Sequence, residues 1–391
     1  MNTMNRRQLL LHSVATTLLP SALCGLSRHA AAAAGGGLEI TALDRFARAR
    51  MSRQDFLVGE LSVRNSSAEV LVLQRLLLLG PVAGGESRPP LVTLTAGALQ
   101  ALASGPDGRP ARSLLLGPGE QGLLHLWQTL PVGDDAGLAL LLEASRGDGS
   151  TVVAALAIPA AEPPLQLGPP LRGGPWAAVF DPWFAQGHRR SVFVHEGRRF
   201  IPARFAIDWI RLDAGGRPGA ADPAGYAHWH GLESEVLAVA DGEIVSLRDG
   251  REDLLSTLRP ARPWSPDDVA GNYLCLQLAS NRYVFYEHLR QGSIAPKLGQ
   301  RVRAGQPLAR VGRSGINSSG PHLHLHMADR PALQHAQGLP FVLSAFHQLG
   351  TYATMDQAES GRPWLTDPAA PAGQLVRGEL PGPNAVLRFE G

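Results

Sequence analysis

The chain has 391 residues, 44% of them hydrophobic, which is too much for one ordinary domain and enough for two packed cores, and which excludes a disordered or fibrous protein. Its net charge of +2 comes almost wholly from arginine, with Lys297 the sole lysine, and the dispersal of these charges argues against a nucleic-acid partner. Few aromatics beside 44 glycines and 31 prolines favour short strands and many turns, so a mostly β fold is expected.

The N-terminus, MNTMNRRQLLLHSVATTLLPSALCGLSRHAAAAAGGG, joins Arg6 and Arg7 to an apolar run and an alanine-rich stretch, the pattern of an export signal over residues 1–34. The paired arginines before Gln8-Leu9-Leu10 resemble a twin-arginine signal, with cleavage expected within Ala30 to Ala34. The apolar run falls short of the ~20 residues a spanning helix needs, so no permanent membrane span is expected. Leu23 before Cys24 fits a lipoprotein signal poorly. Removal of the signal leaves Cys275 alone, which precludes an internal disulfide and a cysteine metal site; in NYLCLQL it reads as a buried thiol.

From residue 38 to 164, apolar alternation recurs in FLVGELSVRNSSAEVLVLQRLLLLG, RSLLLGPGEQGLLHLWQTLP and GLALLLEASRGDGSTVVAALAIP, separated by NSS, GPGE and RGDG turns. That pattern predicts an immunoglobulin-like β-sandwich. It holds no catalytic cluster, and His125 in LLHLWQ reads as an ordinary strand residue. The Pro/Gly-rich passage 165–180, within AEPPLQLGPPLRGGPW, reads as a linker. A second domain follows over 181–350, and 351–391 remain as a C-terminal tail.

The second domain reads as a chain of hairpins: SEVLAVADGEIVSLRDG, then NYLCLQLASNRYVFYEHLR, then VRAGQPLARVGRSG and PHLHLHMADRP. An antiparallel β domain with an open groove is expected. In GPHLHLHM, side chains of an extended strand alternate, so His322, His324 and His326 share one face at intervals of about 6 to 7 Å. Such a row has the look of metal ligands that need a partner from elsewhere in the chain.

These blocks, taken in order, resemble the LytM or lysostaphin-type zinc metallopeptidases over roughly residues 187–346. Val236 to Gly242 is similar to the family's V-x-A-x-A-D-G, Tyr286-Glu287-His288-Leu289 to its Y-x-H-L, and Leu298 to Gln306 to its x-G-x-x-V-x-x-G-Q. Gly312 to Gly315 followed by Gly320 to His324 is similar to G-x-[ST]-G…P-H-[LV]-H. The resemblance implies His324 and Asp208 as zinc ligands, His322 and His288 as the catalytic histidines, and one zinc per chain. It implies an endopeptidase acting on the peptide cross-links of bacterial peptidoglycan, exported to the periplasm or cell envelope, where a protein partner is also conceivable.

One position departs from the pattern. The family usually has H-x-x-x-D, and four residues before Asp208 stands Arg204, which has no lone pair to give a metal. In HRRSVFVHEGRRFIPARFAIDW, the stretches 191–194 and 200–209 read as strands about a turn near Gly197, which places His188 opposite Ala206 or Ile207. Neighbouring strands lie about 4.8 Å apart, so His188 is the favoured third ligand, whereas His195 at the turn would lie roughly 25 Å away. His228 and His230, in AHWHG, are the next candidates, and His326 either supports His324 or fills space. Two imidazoles, one carboxylate and an open position make the ligand set of a catalytic zinc site. Arg204 is also the feature that would suit a rival role, a non-catalytic LytM-like regulator that activates a cell-wall amidase.

Overall fold

The structure, a computed structural model, describes residues 36–81, 89–131, 137–184, 187–219, 225–256, 268–279, 282–315, 320–366 and 373–390. The expected export signal lies outside them. No helix among the described residues is long and apolar enough to cross a membrane.

The N-terminal part is two five-stranded antiparallel sheets. One orders Leu38–Ala42, Gln54–Asn65, Gln121–Leu130 and Ala103–Ser104, with Ala47–Met51 paired to Gln54–Asn65; the other orders Thr151–Ile158, Leu138–Ser145, Leu71–Leu79 and Val92–Thr95, with Leu115–Leu116 on Leu71–Leu79. Alternating Leu, Ile and Val residues of both sheets, among them Leu38, Leu61, Leu76, Leu124, Leu140 and Leu156, close on a single core.

The second part is built on one eleven-stranded sheet among the described residues. Its order is Arg301–Val302, Gly242–Arg248, Asn272–Ala279, Arg282–Leu289, Leu323–Ala328, Ile207–Arg211, Trp176–Val179, Ala385–Arg388, Phe346–Thr351 and Gln374–Val376, with Gly338–Leu339 paired to Leu323–Ala328. Two boundaries read from the sequence differ from this arrangement. Within the expected linker 165–180, Leu165–Leu167 pairs in parallel with Phe341–Leu343, and Trp176–Val179 is a central strand whose Trp176, Ala177 and Ala178 are fully buried. The expected tail supplies Ala385–Arg388, the strand beside it. Pro and Gly at 168–175 mark turns between those strands, and composition alone does not separate such turns from a linker.

Opposite faces of this sheet pack differently. Leu274, Leu276, Val284, Tyr286, Leu323 and Leu325 point into the main core with Trp176 and Trp209. Their alternates point the other way, where Cys275, Phe285 and Ala328 form a small cluster on one side and Ala177, Ile210 and Val386 another. The polar cluster described next lies on that second face.

The main core also takes in Met51, Phe56, Val58 and Trp127 from the N-terminal part, packed with Phe205 and Leu380. Trp127 and Phe205 stand 5.8 Å apart between ring centroids, and the Leu380 amide donates to the Arg50 carbonyl at 2.8 Å. The two parts therefore share buried apolar surface.

A candidate metal centre

Sheet register brings the polar side chains together. Ile207–Arg211 pairs with Leu323–Ala328 so that Asp208 lies opposite His324, and Arg282–Leu289 pairs on the other side so that Glu287 also lies opposite His324. Residues directly opposite share a face, which makes Asp208, His324 and Glu287 one line across three strands, with His322 and His326 flanking it. Regular alternation would send His288 to the opposite face, beside Tyr286. An extra residue there bulges the strand, since Asn272 pairs with Leu289 and Leu274 with Tyr286, and His288 takes a positive φ of 62°. A bulge re-aims the side chain at its position, and the His288 ring reaches 4.7 Å from that of His322.

His188 arrives by another route. The ladder after it is only Phe193–His195 with Arg198–Phe200, and residues 201–206 are turns, so the long strand pair expected from the sequence is absent here. His188 instead opens a three-residue 3-10 turn, His188–Arg190. Its Nε2 lies 3.3 Å from Asp208 Oδ2, and its ring meets that of His324 edge-on at 4.9 Å.

His324 Nδ1 lies 2.8 Å from Asp208 Oδ1, and the donor atoms of His188, Asp208 and His324 all lie within 4.8 Å of one another. Ligands at 2.0–2.2 Å on a tetrahedron are separated by roughly 3.3–3.5 Å, so two imidazoles and a carboxylate this close fit a zinc ion with one position left for substrate or water. His188 and Asp208 are partly exposed while His324 is buried, which places the opening on the side of the first two.

Electrostatics agree with that donor set. Burial opposes the negative charge of Asp208, but His188 and His322 outweigh it by charge and hydrogen bonding and hold the carboxyl well below its usual range. Burial likewise opposes a charge on His188, and the Asp208 carboxylate more than compensates, raising its pKa. His288 is driven well below the ordinary histidine value by burial and then by His322 and His324.

Backbone carbonyls fix two tautomers. His288 Nδ1 lies 2.8 Å from the Ser314 carbonyl and His322 Nδ1 lies 2.7 Å from the Gly320 carbonyl. A carbonyl only accepts, so each Nδ1 carries a proton and each Nε2 is the ring atom left to give or take one. His322 Nε2 lies 3.5 Å from Asp208 Oδ1, at the edge of the donor cluster. The Ser314 loop is itself tied down: its hydroxyl donates to the Leu289 carbonyl and accepts from the Asn272 amide. Gly271 makes the approach possible, because a Cβ there would meet the Ser314 carbonyl carbon at 2.3 Å.

His326 stands behind His324. Its Nδ1 lies 3.1 Å from His324 Nε2, its ring stacks on Phe285 with 4.9 Å between centroids, and Glu287 Oε1 lies 3.7 Å away. Glu287 forms a second close group with His324 and His326, all three buried, and burial raises its pKa. The other candidates stand apart from the donor cluster. His195 stacks on His335 with 3.8 Å between centroids, and His228 and His230 are exposed, with His230 Nε2 lying 3.9 Å from Asp213 Oδ2. Arg204 is 4% exposed and turns away, its Nε donating to Glu60 Oε2 at 2.7 Å. No sequence signal points to Glu60, a buried carboxylate within an apolar strand of the N-terminal part.

The profile of peptidase family M23 matches residues 228–335, a span that contains His288, His322 and His324 and begins after His188 and Asp208. No curated protein matches the chain. Among solved structures, similar ones include the catalytic domain of the prophage-encoded M23 protein EnpA from Enterococcus faecalis, at 21% identity over 32% of this chain and 84% of that one, with a TM-score of 0.21. The catalytic domain of lysostaphin from Staphylococcus simulans matches at 16% identity over 43% and 88%, with a TM-score of 0.23. A putative M23 peptidase from Pseudomonas aeruginosa matches at 15% identity over 66% and 87%, with a TM-score of 0.24. Residues 228–335 of this chain are a domain of peptidase family M23.

Proposed function

We propose that this protein is a zinc-dependent endopeptidase that hydrolyses the peptide cross-links of bacterial peptidoglycan, exported to the periplasm or cell envelope after loss of residues 1–34. The observation that carries the reading is the donor set itself: His188, Asp208 and His324 within 4.8 Å, with two further imidazoles beside them. A zinc ion held by His188, Asp208 and His324 would supply Lewis acidity for the scissile carbonyl and for the attacking water.

The chain's own groups do the rest. Asp208 and His188 line the open side, where the scissile carbonyl enters. The Nε2 of whichever of His322 and His288 is unprotonated accepts the proton of the attacking water and returns it to the amine nitrogen as the C–N bond breaks. The other imidazole stabilises the oxyanion of the tetrahedral stage in its doubly protonated form, donating from Nε2 while Nδ1 stays on its backbone carbonyl. By accepting the Nε2–H of His324, His326 would leave the His324 Nδ1 lone pair available to a metal. The regulator reading drew on Arg204 as a lost ligand; with His188 beside Asp208 and Arg204 bonded to Glu60, that feature no longer favours it. The N-terminal unit, an immunoglobulin-like sandwich in this reading, serves as an accessory domain.

The test is the metal content of the mature protein by mass spectrometry, for the unaltered chain and for His188→Ala and His324→Ala, followed by assay on cross-linked muropeptides. About one zinc, lost in both variants, with cleavage abolished by chelator, is expected. A chain that takes up no zinc from excess metal, or a His188→Ala protein that keeps it, overturns the assignment.

A further inference from the structure

His188 occupies a precarious place for a metal ligand. A 3-10 turn of three residues has poor hydrogen-bond geometry and no ladder to hold it, and metal ligands need their orientation fixed by surrounding groups. The residues that hold this turn come from the N-terminal unit. Arg189, 3% exposed, donates through Nη2 to the Leu126 carbonyl at 2.8 Å and to Glu60 Oε1 at 3.3 Å, through Nη1 to the Pro182 carbonyl at 3.2 Å, and lies over the Trp127 ring at 5.1 Å. Arg190, 6% exposed, donates to the Leu102 and Ala101 carbonyls at 3.0 and 2.9 Å. The backbone closes as tightly: a Cβ on Gly108 would meet the Arg190 carbonyl oxygen at 2.5 Å.

The Asp208 side is anchored at the same point. Arg204 donates to Glu60 Oε2 at 2.7 Å, to the Gly338 carbonyl at 2.9 Å and to Gln337 Oε1 at 3.0 Å, and Gln337 Nε2 returns to the Arg199 carbonyl at 2.9 Å. One carboxylate, 1% exposed, therefore spans two guanidiniums, one adjacent to His188 and the other four residues before Asp208. Asp44 approaches Arg204 only to 3.8 Å and is partly exposed. Without Glu60 the two buried cations would repel across the segment that presents both ligands.

We infer that Glu60 is a positioning residue for the metal centre, and that the N-terminal unit is a structural part of that centre through the Arg189–Glu60–Arg204 bridge. It touches neither metal nor substrate; it sets where the His188 turn sits relative to Asp208. The inference rests on His188 being a ligand, as proposed above. It also separates this unit from a removable cover, because detaching it would dismantle the site.

The experiment measures zinc affinity of the full mature chain by competition with a chromophoric chelator, and the visible spectrum of the cobalt-loaded protein. Glu60→Gln removes the charge, Glu60→Asp withdraws it by one methylene, and Leu142→Ala weakens the N-terminal core without touching the bridge. Glu60→Gln is expected to weaken zinc binding 10–100-fold, as loss of a supporting group does, and to alter the cobalt bands; Glu60→Asp falls between, and Leu142→Ala stays within about twofold. The unaltered protein gives an independent reading: coupling is reciprocal, so zinc should slow hydrogen exchange at the amides of Gly59, Leu61 and Leu126. This decides the matter with Glu60→Asp should Glu60→Gln fail to fold. Equal affinity in the Glu60 variants, an equal loss in Leu142→Ala, or exchange unmoved by zinc overturns the inference while leaving the peptidase reading intact. Absence of zinc from the unaltered chain is instead the failure of that reading.

Discussion

Arg204→Ala is the perturbation that most directly probes the departure from the family pattern. In the folded chain Arg204 makes three hydrogen bonds, to Glu60, Gln337 and the Gly338 carbonyl, at 4% exposure. Removing one partner of a buried ion pair leaves the other charge uncompensated and costs ~3–5 kcal/mol, a large share of the ~5–15 kcal/mol that holds a protein folded. Arg189 still faces Glu60 and softens the loss, so the lower half of that range, about 3–4 kcal/mol, is expected. Urea unfolding followed by tryptophan fluorescence measures it, with Trp127 and Trp209 in the affected core. The paired variant Glu60→Leu with Arg204→Met removes both charges and should lose less than the sum of the single changes by at least ~1 kcal/mol. Arg204→His, which introduces the residue that the resemblance leads one to expect there, should lose as much stability as Arg204→Ala and gain no zinc affinity, because the position faces Glu60. A loss under ~1 kcal/mol for Arg204→Ala, or tighter zinc in Arg204→His, would refute the reasoning.

Other substitutions separate binding from chemistry. His326→Leu keeps the ring's volume roughly and removes a buried Nε2 that has no hydrogen-bond partner, so the fold should tolerate it, whereas zinc affinity should fall about 10–100-fold as His324 loses its support; an unchanged affinity by chelator competition would free His326 of that role. His288→Ala should retain zinc and lose about 10²–10⁴-fold in turnover on muropeptides, and retention of full turnover would remove His288 from the chemistry. His125 supplies a pH test. Burial, and then Arg190, Arg189 and Arg204, hold its pKa well below 6.5 in the folded chain, so below pH ~6.5 the unfolded chain binds more protons. Stability is therefore complete above that pH and falls as pH drops, by up to ~1.4 kcal/mol per unit from this group. His125→Leu should flatten the urea-midpoint slope between pH 6.5 and 5 by that amount, and an unchanged slope would contradict the shift.

The parts of the site that follow strand periodicity were legible in the sequence. His322, His324 and His326 share a face because the strand alternates, and that needs nothing beyond their spacing. His188 lies 3.3 Å from Asp208, but a short turn delivers the ring where an extended pair of strands is expected from the sequence. The bulge that re-aims His288 has no sequence signal, since the extra residue is defined only against the partner strand. Glu60 was invisible for a related reason. A single acidic residue between Gly59 and Leu61 looks like an ordinary solvent-facing position until the two arginines that neutralise it, Arg189 and Arg204, are brought to it by the fold.

The family match begins at residue 228, yet two of the three residues of the candidate donor set lie before it, at 188 and 208. A metal shell is sensitive to where ligand atoms stand and indifferent to the chain spacing that brings them there, so a histidine supplied from position 188 can serve as well as one four residues before the aspartate. The two sources differ in rigidity. A histidine on the aspartate's own segment would inherit its order from the Ile207–Arg211 strand, whereas His188 sits on a turn outside any sheet. The arginine at 204 then acquires a use that a histidine could not fill, because its fork reaches Glu60, Gln337 and Gly338 at once. On the assignment proposed above, the arginine at 204 and the recruitment of the N-terminal unit form one structural solution, in which a group that cannot bind metal helps to hold the histidine proposed to do so.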